Sequence, residues 1–266
     1  MPMIDVNGTR LHYVEKGTGP DTIVFSHGLL WSHHIFSAQI DALSQHFRCI
    51  AYDHRGQGDS DVPPEKTITI ETCTDDCIEL IGLLDAAPCH FVGLSMGGFV
   101  GMRIAARRPE LIRTLALFET AADPEPKASA RKYKPMSWAA RVLGVNRLLA
   151  ARVMPIMFGE TFLNDPERVD ERREWRDRLM HNKRTIYRSV NGVVERRGIE
   201  HELRHITAPT LVLHGDEDKA ISRSRALSLV EHIPDSRFVT LRAAGHTATV
   251  EQPGASTAAL AEFYGL

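Results

Sequence analysis

The sequence predicts an α/β architecture: a mostly parallel sheet flanked by helices, with an inserted helical cap. Three observations carry this. Short β-branched or apolar runs alternate with longer helical patterns, each run ends in a polar or glycine-containing loop, and the alternation lapses between residues 123 and 207 before resuming.

In chain order, Thr22 to Ser26 (TIVFS), Arg48 to Tyr52 (RCIAY), His90 to Leu94 (HFVGL) and Thr114 to Phe118 (TLALF) read as strands whose terminal loops line one edge. Between them, Ile70 to Leu84 sets Cys73, Cys77, Ile78, Leu80, Ile81 and Leu84 on one helical stripe. Gly97 to Arg107 reads as a tight helix of small residues that Pro109 stops. The pattern resumes at Thr210 to Leu213 (TLVL), followed by a helix from Ser222 to Ile233, a strand from Arg237 to Leu241 and a closing helix near Pro253 to Phe263. The intervening stretch opens with DPEPK, is rich in arginine and is punctuated by Pro135, Pro155 and Pro166. The chain therefore divides into residues 1–122, the first part of a core; 123–207, a helical cap; and 208–266, the second part of the core.

With 266 residues, 43% hydrophobic and 25% charged, there is enough apolar material for one sizeable core. A net charge of −2 and a pI near 6.7 imply no general attraction to nucleic acid or to a membrane surface. The N-terminal residues lack a basic opening and an apolar run, and no stretch approaches the roughly 20 apolar residues of a spanning helix. A cytoplasmic protein is the expectation. Cys49, Cys73, Cys77 and Cys89 lack metal-type spacing and read as buried free thiols. Charge is unevenly distributed: residues 123–207 hold 18 Lys and Arg against 12 Asp and Glu, whereas the remainder is acidic. Most of that surplus reads as a solvated face.

The chemistry centres on Gly93-Leu94-Ser95-Met96-Gly97, which follows a strand and opens a helix. G-x-S-x-G in that context places a serine on a strained turn, with glycines where a Cβ would collide with the neighbouring strand or helix. A hydroxyl is a weak nucleophile, so Ser95 needs a base within hydrogen-bond reach and a group to orient that base. His246, in the loop after RFVTL, is the candidate base, ahead of His27, His54 and His214. Asp218, the last carboxylate of HGDED after TLVL, reaches far enough past its strand to hold the imidazole. Asp216 and Glu217 read as turn residues, and Glu119 is the fallback acid. Oxyanion stabilisation requires backbone donors, expected from Met96 at the helix start and Leu29 in the loop after TIVFS.

The segments SHGLL, DHRGQGDSD, GLSMGGFVGMRIAARRPE, HGDEDKAIS and AAGHTATVEQP resemble the α/β-hydrolase superfamily over nearly the whole chain outside the cap. Within it, the resemblance is to small capped esterases and 3-oxoadipate enol-lactonase-like enzymes. The order Ser95, Asp218, His246 agrees with the nucleophile, acid, histidine order of that superfamily. The resemblance implies the α/β-hydrolase fold and hydrolysis of a carboxylic ester or lactone through an acyl-enzyme, with activity rising as a histidine loses its proton. It implies no cofactor or metal, and its partner is a small-molecule ester or lactone. Asp53 and the Arg55-Gly56-x-Gly58 turn become a structural loop beside the site. Trp138 and Phe158 are the first candidates for an apolar substrate lining, and a cap arginine holding a substrate carboxylate is a secondary expectation. Carbon–carbon bond hydrolysis of a ring-cleavage product, or a slow-turnover ligand receptor, are the alternatives.

Overall fold

The computed structural model describes residues 2–266. Its centre is an eight-stranded sheet in the order β1-β2-β4-β3-β5-β6-β7-β8. An N-terminal hairpin, β1 (Met3–Val6) and β2 (Thr9–Lys16), turns at Asn7-Gly8, where both residues have positive φ, as a tight two-residue hairpin connection requires. β2 pairs antiparallel with β4 (Arg48–Tyr52), and every later pairing is parallel. The first parallel strand is β3 (Thr22–Ser26), and α1 (Ser37–Leu43) joins it to β4. Next come α2 (Ile70–Leu83), β5 (Cys89–Leu94), α3 (Met96–Arg107) and β6 (Ile112–Phe118).

Five helices then separate β6 from the next strand: α4 (Lys127–Leu143), α5 (Arg147–Met157), α6 (Glu160–Asn164), α7 (Val169–Met180) and α8 (Tyr187–Val194). The sheet resumes with β7 (Thr210–Gly215), α9 (Arg223–His232) and β8 (Ser236–Leu241). Two helices, α10 (Ala248–Glu251) and α11 (Pro253–Tyr264), close the chain. The prolines do not divide this stretch as their positions suggest. Pro135 lies inside α4 and Pro155 inside α5, and Pro166 opens a short 3-10 helix. Each helix loses one backbone donor at its proline but keeps the packing of its inner face.

Strands β3 and β5 are buried along their whole length, which explains their continuous apolar runs. Apolar side chains of α2, α3 and α9 cover one face of the sheet. The cluster on the other face contains α1 and α11 and continues into the helices between β6 and β7 through Val145, Leu149, Met157 and Trp175. Parallel pairing brings the C-terminal ends of β5, β6, β7 and β8 to one edge of the sheet, where parallel sheets commonly present their functional loops. All four cysteines are buried and free. Among the described residues, no helix is long and apolar enough to cross a membrane.

Candidate active site

Ser95 joins the end of β5 to the first turn of α3 with φ 51° and ψ −108°, a backbone conformation that non-glycine residues rarely adopt. The neighbours hold it there: its N–H donates to Phe118 O at 2.8 Å, and the Thr120 hydroxyl donates to its carbonyl at 2.9 Å. The glycine requirement is steric. A Cβ on Gly97 would fall 1.9 Å from Ser26 O, and one on Gly93 would fall 2.5 Å from Gly97 O.

His246 follows β8 and places Nε2 2.9 Å from Ser95 Oγ. Its Nδ1 lies 2.9 Å from Asp218 Oδ2. The other Asp218 oxygen accepts the backbone N–H groups of Ala220 at 2.7 Å and Ile221 at 3.1 Å, which fixes the carboxylate before it meets the ring. Three residues distant in sequence are thus joined in one line, arranged so that the imidazole can take the Ser95 proton while Asp218 orients it.

The competing residues have other partners. Burial holds His27 and His54 below the ordinary imidazole range, and the pair hydrogen-bonds within its own loops. His214 lies 4.0 Å from Asp218 and is lowered by burial too. Glu119 accepts the Gly215 N–H at 3.1 Å, and its second oxygen is buried without a partner. Burial, reinforced by the Asp218 charge, pushes its carboxyl well above the usual range. Asp216 is exposed, whereas Glu217 accepts the Thr161 N–H of α6 at 2.8 Å and so ties two parts of the chain together.

The backbone N–H groups of Leu29 and Met96 make no hydrogen bond among the described residues. Gln57, which sequence reasoning missed, lies between them: its Oε1 accepts the Leu30 N–H at 2.8 Å and its Nε2 donates to Met96 Sδ at 3.5 Å. Only the fold brings Gln57 against residues 27 and 39 positions away. Asp53 anchors the same loop. Burial pushes its carboxyl up, but hydrogen bonds from His12 and His33 outweigh burial and hold it well below the carboxylate range. His12, His33 and Asp53 bring three potential metal-donor atoms within 4.8 Å of one another. The Asp53 oxygens are, however, filled by the two imidazoles and by the backbone N–H groups of His33 and Asp59, so the group is a hydrogen-bond hub.

Ser95 and His246 open onto a cavity of about 120 Å³ walled by α4, α5 and α8. Its lining is almost wholly apolar, including Phe99, Ala140, Leu149, Ile156 and Val190, and its other polar side chains are Glu125, Tyr133 and Ser137. Of the two first candidates for the lining, neither takes part, although Leu149 and Met157 of α5 do. Trp138 points outward at 65% exposure, because Ser137 and Ala140 occupy the inner side of its helix. Phe158 is buried in an aromatic cluster with Trp31, Phe162 and Trp175. Nor does an arginine face the cavity. Arg196 is enclosed, donating to Glu125 Oε2 at 2.7 Å and lying 4.2 Å over the Phe99 ring.

A parallel sheet with a serine strained at the end of β5 and a histidine–carboxylate pair at the ends of β8 and β7 is the frame of a hydrolase. The model of the alpha/beta hydrolase fold family matches residues 21–253, and the chain belongs to that family. The crystal structure of an enol-lactonase from Burkholderia xenovorans LB400 superposes with a TM-score of 0.92 at 32% identity, covering 100% of both chains. A thermophilic esterase from Thermogutta terrifontis superposes with a TM-score of 0.89 at 27% identity, over 99% of this chain and 98% of that one. By sequence, the chain is 29% identical to a protein of Agrobacterium fabrum provisionally named carbamate hydrolase RutD, over 91% of this chain and 92% of the relative.

Proposed function

We propose that this protein is a serine hydrolase that cleaves an uncharged carboxylic ester or lactone with an apolar acyl portion. The observation that carries the reading is the unbroken contact line Ser95–His246–Asp218, 2.9 Å at each step, opening onto an apolar cavity. Ser95 Oγ attacks the carbonyl carbon as its proton passes to His246 Nε2, and the carbonyl oxygen takes up the negative charge. The free N–H groups of Leu29 and Met96 receive that oxyanion, each such donor contributing about 3 kcal/mol to the barrier reduction. Collapse of the tetrahedral intermediate breaks the ester bond, and the leaving oxygen takes the proton from His246. Water then repeats the sequence on the acyl-enzyme, with His246 as base. The helices between β6 and β7 act as the cap that shapes the acyl site.

The likeness to an enol-lactonase supports ring-opening of a lactone by the same steps. The cavity lining favours an uncharged substrate: it contains no arginine, and Glu125, which faces the cavity, is the partner of the buried Arg196. The relative named as a carbamate hydrolase makes a carbamate the useful comparison, since it would carbamoylate the same oxygen.

A fluorophosphonate probe, with parallel turnover of p-nitrophenyl butyrate, a neutral lactone, a carboxylate-bearing enol-lactone and a phenyl carbamate, tests the proposal. Labelling at Ser95 and turnover of the neutral ester and lactone are expected. An unlabelled serine with no ester hydrolysis would sink the reading, and preference for the carboxylate-bearing lactone would overturn the substrate class.

A further inference from the structure

We propose that the corner formed by α4 and α5 is a docking surface for an anionic lipid bilayer. The proposal rests on this surface alone and does not depend on the reaction at Ser95. Residues 127–159 contain seven Lys and Arg and no Asp or Glu. None of the seven forms a salt bridge among the described residues. On α7, by contrast, Arg173 and Arg178 pair with carboxylates of their own helix.

The placement of these cations is ordered. Lys127, Arg131, Lys134 and Trp138 follow one another at helical spacing and are all exposed, so they form one outward stripe of α4. Trp138 ends that stripe at 65% exposure, while Leu143 in the last turn of α4 and Leu148 in the first turn of α5 are 60% and 80% exposed. Large apolar side chains exposed at the junction of two packed helices mark an interaction surface. An indole and leucines beside unpaired cations are the combination that sits at a lipid interface, the rings and aliphatic groups among the acyl boundary and the cations on the headgroups.

Charge selects among occupants. A second copy facing this surface with its own would set seven cations against seven with no carboxylate between them. The net charge of −2 for the whole chain suggested no membrane contact. At physiological ionic strength, however, charges more than about 8 Å away are largely screened, so a bilayer meets the local basic face and little of the acidic core behind it. Arg184, exposed in a 3-10 helix packed on α4 and lying beside Gly144 at the end of α4, adds a further cation near this corner.

The test is partition of the whole protein onto vesicles of phosphatidylcholine, with and without phosphatidylglycerol as about a third of the lipid. Trp31 and Trp175 are buried, so Trp138 is the exposed indole, and its emission should shift to the blue on binding. We expect binding only to the anionic vesicles, weakened by salt, and lowered about tenfold or more both in Lys127→Glu/Arg131→Glu/Lys134→Glu and in Trp138→Ser/Leu148→Ser. Melting curves of both variants check that they are folded. No partition at low salt, partition indifferent to lipid charge, or wild-type binding by the folded Trp138→Ser/Leu148→Ser variant would each overturn the proposal. So would a lipid-free dimer that buries Trp138.

Discussion

Asp218 and Glu119 are two carboxyl groups at adjacent strand ends, and their surroundings send them to different roles. Asp218 accepts three N–H groups, one of them from His246, whereas Glu119 accepts one and is pushed upward by burial and then by the Asp218 charge. Burial and the Asp218 charge both favour the uncharged carboxyl of Glu119, and glutamine is its nearest uncharged substitute. Glu119→Gln is therefore expected to keep kcat/KM on p-nitrophenyl butyrate within about threefold, while Asp218→Asn lowers kcat by roughly 10³ to 10⁴, as loss of an orienting carboxylate does elsewhere. Equal losses in the two variants would show that Glu119 takes part in orienting His246. Sequence alone could name Ser95, His246 and Asp218 as candidates because each stands at a recognisable place after a strand, in motifs set by local backbone needs. Gln57 and Glu125 carry no such local signature, since their roles exist only once distant loops close on them. Trp138 and Phe158 mislead for a related reason: hydrophobicity says that a side chain avoids water in general, but not which of two available faces it takes.

Elements buried on both faces were the most legible. β3 and β4 run over the very residues whose apolar character announces them, because a central parallel strand has no solvent face to break the run. β1 and β2 stayed hidden, being an edge hairpin whose exposed positions interrupt any apolar pattern. α4 and α5 were visible as helical matter but not as single helices, since a proline in the sequence gives no sign of whether surrounding packing carries the helix past it. The inner faces of these two helices line the cavity beside Ser95, which the proposed reaction uses for the acyl chain. Ala140 is buried on α4 and lines that cavity with Tyr133, Met136 and Ser137, and it has the smallest side chain of the four. Ala140→Leu is accordingly expected to lower kcat/KM for a hexanoate ester by about tenfold or more while leaving the acetate ester within about threefold. An unchanged ratio between the two esters, in a variant with a normal melting curve, would move the acyl chain away from α4.

At the scale of the molecule, the segment between β6 and β7 is fastened to the loop that carries His246, so fold stability and site geometry share a titrating group. Glu251 accepts the Gly159 N–H at 2.7 Å with one oxygen and the Thr247 N–H at 3.1 Å with the other. Thr247, next to His246, also donates its hydroxyl to Met157 O at 2.8 Å, and Arg168 donates to Glu251 O at 2.7 Å. Burial pushes the Glu251 carboxyl up to about 7, against the pull of its backbone donors. A carboxyl raised in the folded state is protonated there while the unfolded chain has already released its proton. Its contribution to stability is thus complete below about 4.5 and is lost as pH rises through about 7. A displacement of this size corresponds to roughly 3 kcal/mol, or on the order of 5 to 10 °C in Tm for a chain of this length. Glu251→Gln cannot titrate, and its amide leaves one backbone N–H facing another donor, a loss of about 1 to 3 kcal/mol that is the same at every pH. The difference in Tm between wild type and Glu251→Gln should therefore be largest near pH 4.5, shrink steadily to about pH 8 and then level. Thermal scans at half-unit intervals of pH would read it directly, and parallel curves for the two proteins would remove Glu251 as the group that links the segment between β6 and β7 to the site.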